Sequence, residues 1–256
     1  MLTKATQKLI RSLDSRKGRR KEGLFVAEGP KLVGEMWGHF ECVRLVATAL
    51  PAAMLAGVTA AQVPVDFVSD EELQQASLLQ TPQQMLALFR IPKDKGALVD
   101  VAADSLCLAL DGVQDPGNLG TIVRVADWFG VRDIWCSVGT ADIWSPKAVQ
   151  ATMGGLSRVR VHYINLSASL RTLPADVPVY GTSLSGESLW TTTLQERGVV
   201  VMGNEGNGVS GEVDALCSKR LLIPSYPAGQ PTTESLNVAM ATGIVLAEFR
   251  RQQLMM

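Results

Sequence analysis

The feature that most constrains the fold is an alternation of short, almost wholly apolar segments with longer helical patterns in the second half of the chain. The predicted strands lie at residues 105–110, 132–138, 158–163, 177–182, 198–203 and 220–224. The predicted helices lie at residues 118–130, 145–153, 210–217 and 234–252. Strands without polar alternation are buried on both faces, which is typical of a parallel sheet with helices on each side. The sequence therefore predicts an α/β fold.

The first ninety residues have shorter elements. Strands are predicted at residues 24–29, 42–48, 65–69 and 83–92, and a helix at 30–37. Ser69 and Glu72 have the spacing of a capping box and predict a further helix start. Turn signals at Pro92 and Gly96 indicate a boundary. We therefore expect a small α/β domain at residues 1–97 and a larger one at 98–256.

Charge is distributed unevenly along the chain. The whole sequence has a net charge of −1, but residues 1–22 hold eight Lys or Arg against two acidic residues. A basic segment of this kind predicts a polyanionic partner, although a solvated helix face would explain it equally well. The candidate contacts are Arg16, Lys17, Arg19 and Arg20.

Several other classes of protein are disfavoured. The four cysteines are widely spaced without a CxxC pair, so neither a zinc site nor a redox motif is expected, and a reducing cytoplasm is favoured. Residues 1–22 lack the apolar stretch of a signal peptide, and no uncharged run is long enough to cross a membrane. The two histidines, His39 and His162, lie far from the polar loops described next, so no Ser/His/Asp triad is proposed.

Three polar loops each follow a predicted strand and lead into a helix. They are "DGVQDPGNLG" at residues 111–120, "GNEGNGVSGE" at 203–212 and "IPSYPAGQPTTESLN" at 223–237. Ligands of open α/β sheets bind beyond the carboxyl ends of the strands, which is where these loops are expected. The second loop matches neither the GxGxxG dinucleotide motif nor the GxxxxGK[ST] phosphate-binding motif.

Five polar residues of these loops and helices are candidates for chemistry. Asn118 and Arg124 can act as a helix cap and a surface charge, or can face a ligand. Glu205 is a lone carboxylate among glycines, which a simple turn does not require. Ser235 is expected to cap the last helix, and Asn237 lies in its first turn.

Taken together, the three loops resemble the signature motifs of the SpoU (TrmH) family of RNA 2′-O-ribose methyltransferases, in the knotted SPOUT class. The matching segments are "DPGNLGTIVRVADWFGV", "VVVMGNEGNGVS" and "LLIPSYPAGQPTTESLNVAMATGIVLAEFRRQ". The segment "SPKAVQATMGGL" also resembles the family sequence between the first two motifs. The first half, with "KGRRKEGLFVAEGPKLV", resembles an L30e-like substrate-binding domain. The stretch from Ser225 to Glu234 is longer than the family pattern.

The resemblance implies a trefoil-knotted domain that binds S-adenosylmethionine and methylates a ribose of ribosomal or transfer RNA. It implies a homodimer, with RNA as the polyanion bound by residues 1–22. The catalytic set would be Arg124, Asn118, Glu205, Ser235 and Asn237. The cofactor would be bound by Gly203, Ile223, Leu236, Met202 and Thr182. Because arginine is too basic to be a ready proton acceptor, we expect Arg124 to orient a phosphate and stabilise the developing alkoxide.

Three other functions are compatible with parts of this pattern. A base methyltransferase could use the same scaffold, but the pairing of "NLGxxxR" with "SLN" favours ribose. A non-catalytic RNA-binding protein could keep the fold, but the complete polar set disfavours it. A nicotinamide-dependent dehydrogenase is disfavoured by the glycine spacing.

Overall fold

Two compact units make up the chain in a computed structural model. The residues that the structure describes are 2–93, 100–227 and 230–254. The first unit consists of Met1–Lys93 with Asp142–Ser157, and the second consists of Asp94–Ala141 with Arg158–Met256. The expected boundary between residues 97 and 98 lies outside the described residues. Within the range expected for the larger domain, Asp142–Ser157 packs with the first unit.

The described residues form eleven helices and ten strands. The helices are α1 (Lys4–Ser12), α2 (Arg16–Glu22), α3 (Pro30–Met36), α4 (Ala52–Ala60), α5 (Asp70–Ala76), α6 (Val101–Asp104), α7 (Pro116–Trp128), α8 (Pro146–Ala151), α9 (Leu166–Arg171), α10 (Gly211–Asp214) and α11 (Val238–Gln253). The strands are β1 (Leu24–Glu28), β2 (Cys42–Ala47), β3 (Val65–Phe67), β4 (Met85–Arg90), β5 (Leu106–Asp111), β6 (Asp133–Cys136), β7 (Arg160–Tyr163), β8 (Val179–Ser188), β9 (Gly198–Gly203) and β10 (Lys219–Leu222). The sequence patterns do not predict α4, α6 or α9.

A four-stranded sheet organises the first unit, in the order β1-β4-β2-β3. Strand β4 pairs antiparallel with β1 and with β2, while β2 and β3 are parallel. The predicted capping box of α5 is confirmed, because Ser69 Oγ accepts from Glu72 N and Glu72 Oε2 accepts from Ser69 N. Helix α8 packs against β1, and Trp144 brings its ring to 4.8 Å from that of Phe25. The segment containing α8 is therefore part of this unit's core.

Arg19 is buried, which corrects its assignment as an RNA contact. Its side chain is 4% exposed and its Nη2 lies 2.7 Å from Asp142 Oδ2. Its Nη1 donates to the carbonyl oxygens of Leu13 and Asp14, each at 2.7 Å. A buried guanidinium must be paired in this way, and these contacts leave it no role on the surface. Arg16, Lys17 and Arg20 are exposed, as a phosphate contact requires.

The second unit contains a six-stranded sheet in the order β10-β8-β9-β5-β6-β7, and every adjacent pair is parallel. The predicted parallel sheet is therefore confirmed. Strand β5 is the first of this sheet along the chain, and the chain continues to β6 on one side and later to β9 on the other. Such a reversal of strand order places a crevice at the carboxyl ends of β5 and β9.

Two predicted helix starts are wrong by two to four residues. Helix α7 begins at Pro116 because Asp115 is its cap, with Oδ1 accepting from the backbone N of Asn118 at 2.8 Å. The side chain of Asn118 is thereby left for another role. Helix α11 begins at Val238, capped by Asn237 rather than by Ser235. Leu236, just before this helix, is 50% exposed.

Candidate active site

A chain of side-chain hydrogen bonds joins the three polar loops of the second unit. Asn118 Nδ2 donates to Glu205 Oε1 at 3.0 Å, and Asn237 Nδ2 donates to Asn118 Oδ1 at 3.0 Å. Asn237 Oδ1 accepts from the backbone N of Ala239 and Met240 at the start of α11. Three residues from three distant parts of the sequence are thus held together, and we call this set the Asn–Glu relay.

The relay fixes the orientation of both amide groups. The free N–H groups of α11 can only donate, so they require the oxygen of Asn237 and turn its Nδ2 towards Asn118. Asn118 must then accept on its oxygen and donate from its nitrogen to Glu205. Since Glu205 is exposed, its carboxylate keeps lone pairs that face solvent. The relay therefore presents polar atoms of fixed orientation at the edge of the sheet.

The loop after β9 is shaped by Asn204, which the sequence interpretation missed. Its Nδ2 donates to the carbonyl oxygen of Gly112 at 2.7 Å, and its Oδ1 accepts from the backbone N of Gly206 and Asn207. Asp111 Oδ2 adds a bond from the backbone N of Ser210 at 2.8 Å. An Asn directly after a buried strand and before a glycine-rich turn was the available signal.

Gly203 is required by the loop itself. A Cβ at this position would lie 2.2 Å from the backbone C of Gly208 and 2.4 Å from the backbone N of Val209. The hairpin-like closure between Asn204 and Gly208 therefore depends on a residue without a side chain at 203. The sequence interpretation attributed this glycine to cofactor approach, whereas the contact that excludes a side chain here is with the chain's own backbone.

A cavity of about 330 Å³ lies beside the relay. It includes all five residues expected to bind the cofactor, namely Gly203, Ile223, Leu236, Met202 and Thr182. Glu205 and Ser235, expected to be catalytic, also line it. The walls combine aliphatic side chains with hydroxyl, amide and backbone groups, which is a composition that suits a nucleoside-containing ligand. These residues fit S-adenosylmethionine, whose adenosyl group needs apolar surface and a few polar partners.

Arg124 is not brought into the relay. It lies six residues after Asn118 on α7, which corresponds to about 9 Å along the helix axis. Its side chain is exposed and makes no hydrogen bond or ion pair with the described residues. Its guanidinium is thus available to an external anion. The neighbouring Val125 is partly buried, with Cγ1 4.0 Å from the position that a Cβ on Gly243 of α11 would occupy.

Thiol and metal chemistry have no support in the described residues. Burial raises the pKa of Cys107 to about 12, and burial likewise raises the pKa values of Cys42 and Cys217 to about 11. Burial also raises the pKa of Cys136. Protonated thiols are poor nucleophiles. Within the described ranges, no group of three or more His, Cys, Asp or Glu is arranged to hold a metal ion, and no helix is long and apolar enough to span a bilayer.

Comparison with known proteins agrees with this site. Residues 105–247 match the SpoU rRNA Methylase family, and residues 5–87 match the MRM3-like substrate binding domain. The chain therefore belongs to the SpoU family of methylases, and the resemblance seen in the three loops is confirmed.

Individual relatives cover almost the whole chain. The 23S rRNA (guanosine(2553)-2′-O)-methyltransferase RlmP of Bacillus subtilis (strain 168) is 31% identical over 246 residues, which are 94% of this chain and 94% of RlmP. The structure of a TrmH-family protein from Porphyromonas gingivalis has a TM-score of 0.86 and 42% identity, covering 98% of this chain and 99% of that one. An AdoMet-bound rRNA methyltransferase from Sinorhizobium meliloti has a TM-score of 0.85 and 30% identity, covering 98% and 96%.

Proposed function

We propose that this protein is an S-adenosylmethionine-dependent enzyme that methylates a ribose 2′-hydroxyl of ribosomal RNA. The observation that carries the proposal is the Asn–Glu relay, which joins the three family motifs at the edge of the cavity that fits the cofactor. The full-length relative RlmP is named as a ribosomal RNA 2′-O-methyltransferase, which favours ribosomal over transfer RNA.

The chemistry is a displacement at a methyl carbon. S-adenosylmethionine supplies an activated methyl group on a sulfonium, whose C–S bond breaks as the O–C bond forms. The electron pair of the C–S bond would stay on the sulfur, and the proton of the 2′-hydroxyl would pass to water. Holding the hydroxyl in line with the methyl supplies much of the rate acceleration. We assign Asn118, held between Glu205 and Asn237, to orienting the ribose, and Ser235 to the polar wall beside it.

Arg124 is the residue we assign to the phosphate next to the reacting ribose. A guanidinium presents two parallel N–H donors that match a phosphate, and its positive charge stabilises the developing alkoxide. The support for this role is its exposure on α7 and its lack of a partner among the described residues.

Two architectural proposals accompany the activity. We infer that the C-terminal segment threads a trefoil knot, because β8 and β9 lie in reversed order beside β5 and the three loops meet at one edge. We also infer a homodimer through α7 and α11, since Trp128 is 85% exposed and Met240 is 64% exposed. Large apolar exposed side chains on packed helices favour an interface.

The four free cysteines favour a reducing cytoplasm as the location.

The cofactor site can be tested with Leu236, which lines the cavity and is half exposed. Leu236→Asp should weaken S-adenosylmethionine binding by roughly tenfold, about 1.4 kcal/mol, without disturbing the core. Leu254→Asp is the matched control, because Leu254 is 88% exposed and does not line the cavity. Equal calorimetric dissociation constants for the two variants would show that the cofactor binds at another site. Gly203→Val is unsuitable, since it breaks the loop.

The reaction can be tested by incubating the protein with labelled S-adenosylmethionine and undermethylated ribosomal or transfer RNA. Mass spectrometry of the nucleosides should locate the label on a ribose of ribosomal RNA. Label on a base would establish the base methyltransferase instead. Cofactor binding without label in either RNA would contradict the proposed activity.

A further inference from the structure

A second cavity, of about 500 Å³, lies in the first unit. It is formed where α3 ends and α4 begins. Its lining residues are Pro30, Lys31, Gly34, Glu35, Trp37, His39, Pro51, Ala53 and Met54. Two aromatic rings and two prolines form a surface on which a planar group can stack, and a lysine adds a positive charge. We call it the α3/α4 cavity.

Two donor groups of this cavity have no partner within the described residues. They are the ammonium of Lys31 and the imidazole of His39. Both residues are exposed, so neither side chain is needed to stabilise the fold. Unpaired donors at a concave surface, beside the half-buried ring of Trp37, favour an external ligand that carries acceptors.

Gly34 is a glycine that the fold does not require. It lies inside α3 with a helical backbone, where glycine is less stable than alanine by about 1 kcal/mol. A Cβ placed on Gly34 would meet nothing within 4 Å. No steric contact or left-handed conformation therefore accounts for a glycine there. Because Gly34 has no side chain, this wall of the α3/α4 cavity stays open.

Gly57 fixes the position of Trp37 from the opposite side. A Cβ on Gly57 of α4 would lie 2.9 Å from Trp37 Nε1. This second helix-interior glycine lets the indole lie directly against α4. The indole therefore has a preset position at the cavity, which lowers the entropy cost of stacking a ligand on it.

We propose that the α3/α4 cavity holds one unstacked nucleobase of the RNA substrate, with Lys31 on an adjacent phosphate. The proposal rests on the proposed function for the identity of the ligand as RNA. Unpaired bases of RNA are recognised by stacking on aromatic side chains together with hydrogen bonds to their edges. Trp37 provides the stacking surface, and His39 provides a hydrogen-bonding group. This cavity would then help to select which loop of the RNA is bound.

The decisive variant fills the cavity instead of removing a contact. Gly34→Leu should weaken binding of the full chain to its substrate RNA by about tenfold in fluorescence anisotropy, comparable to the loss of one stacked base. Its unfolding temperature should not fall, because leucine favours a helix more than glycine does. Phe67→Ala is the control, since Phe67 is an exposed aromatic of the same unit that does not line the cavity. Trp37→Ala should weaken binding like Gly34→Leu.

An abasic scan identifies the ligand as a base. One abasic position in the RNA should weaken binding to the unaltered protein about tenfold and have no further effect on Gly34→Leu. RNA affinity that is equal in the unaltered protein, Gly34→Leu and Trp37→Ala overturns the proposal, as does a scan without such a position. Cavity-dependent RNA binding without methyl transfer would sustain this proposal and contradict the proposed function. Methyl transfer together with RNA binding that does not depend on the cavity would support the proposed function and overturn the cavity proposal.

Discussion

The two ends of the six-stranded sheet use polar residues in opposite ways. At the amino ends of β6 and β7, Asp133 is 3% exposed and accepts two bonds from Arg160, at 2.8 and 2.6 Å, and lies 3.2 Å from His162 Nε2. At the carboxyl ends, Glu205 is exposed. Further along α7, Arg124 is also exposed and has no partner among the described residues.

The difference separates residues that stabilise the fold from residues that are available to a ligand. A buried carboxylate is stable only when its lone pairs are satisfied, so Arg160 and His162 are occupied in pairing with Asp133. The relay residues satisfy one another only in part and keep polar atoms towards solvent. Substitutions at the amino ends should therefore affect stability, and substitutions of the ligand-facing residues should affect methyl transfer.

The largest effect is expected at Arg124. Arg124→Ala should lower methyl transfer by roughly 100- to 1000-fold, since it removes a charged donor to the transition state. Stability and S-adenosylmethionine affinity should be unchanged, because the exposed side chain has no hydrogen bond or ion pair with the described residues to lose. Arg124→Lys should also be slow, because an ammonium cannot make a bidentate contact. Single-turnover rates of both variants check this, and near-normal turnover would remove Arg124 from the site.

Arg19 extends the comparison to the first unit, where it is a buried, paired arginine. Arg19→Ala should lower the free energy of unfolding by about 3 kcal/mol, because it leaves the carboxylate of Asp142 without its partner. Urea unfolding monitored by tryptophan fluorescence measures the change. The matched variant is Arg20→Ala, on the exposed side of the same helix. Equal stability of the two variants would contradict the structural role of Arg19.

Asp133 should behave in the opposite way to Arg124. Asp133→Asn should lower the free energy of unfolding by about 1 to 3 kcal/mol, since His162 and Arg160 lose a charged acceptor. The rate of methyl transfer per folded molecule should not change. Thermal unfolding and active-site titration with labelled cofactor measure the two quantities. A reduced rate without loss of stability would mean that the amino end takes part in the chemistry.

The exposed basic residues of α2 should contribute to RNA affinity. Replacing Arg16, Lys17 and Arg20 by Gln should raise the RNA dissociation constant roughly tenfold, about 1.4 kcal/mol. Three lost phosphate contacts should flatten the dependence of log affinity on log salt by about 2. Filter binding from low to high salt measures both quantities. An unchanged slope would show that these residues form only a solvated helix face.

Acid stability gives the smallest effect. Burial alone would raise the pKa of Asp133, but its bonds to His162 and Arg160 outweigh burial and lower it. A lowered folded-state pKa stabilises the protein above the unfolded value of about 3.9, and the contribution is lost as pH falls through the folded pKa. As the pH falls below about 4, the free energy of unfolding should therefore decrease less in Asp133→Asn than in the unaltered protein. Parallel loss in acid unfolding curves would contradict this.

Much of the site could be found in the sequence because its chemistry lies in local motifs. Apolar strands followed by polar loops predict the parallel sheet and the edge where Asn118, Glu205 and Asn237 meet. The helix starts were less accurate. Asp115 and Asn118 are both good capping residues near the same helix start, and sequence spacing alone did not select between them.

Sequence alone predicts the periodicity, the α/β class and the residue types at the strand ends, because each depends on neighbours within a few positions. Which polar groups have partners becomes clear only in the folded chain. Arg19 lies among arginines and lysines that it resembles in sequence, and Asp142, 123 residues away, is what buries it. Gly203 is likewise explained only by the backbone of Gly208 folding back upon it. Burial and pairing depend on contacts between distant segments, and local sequence patterns do not specify them.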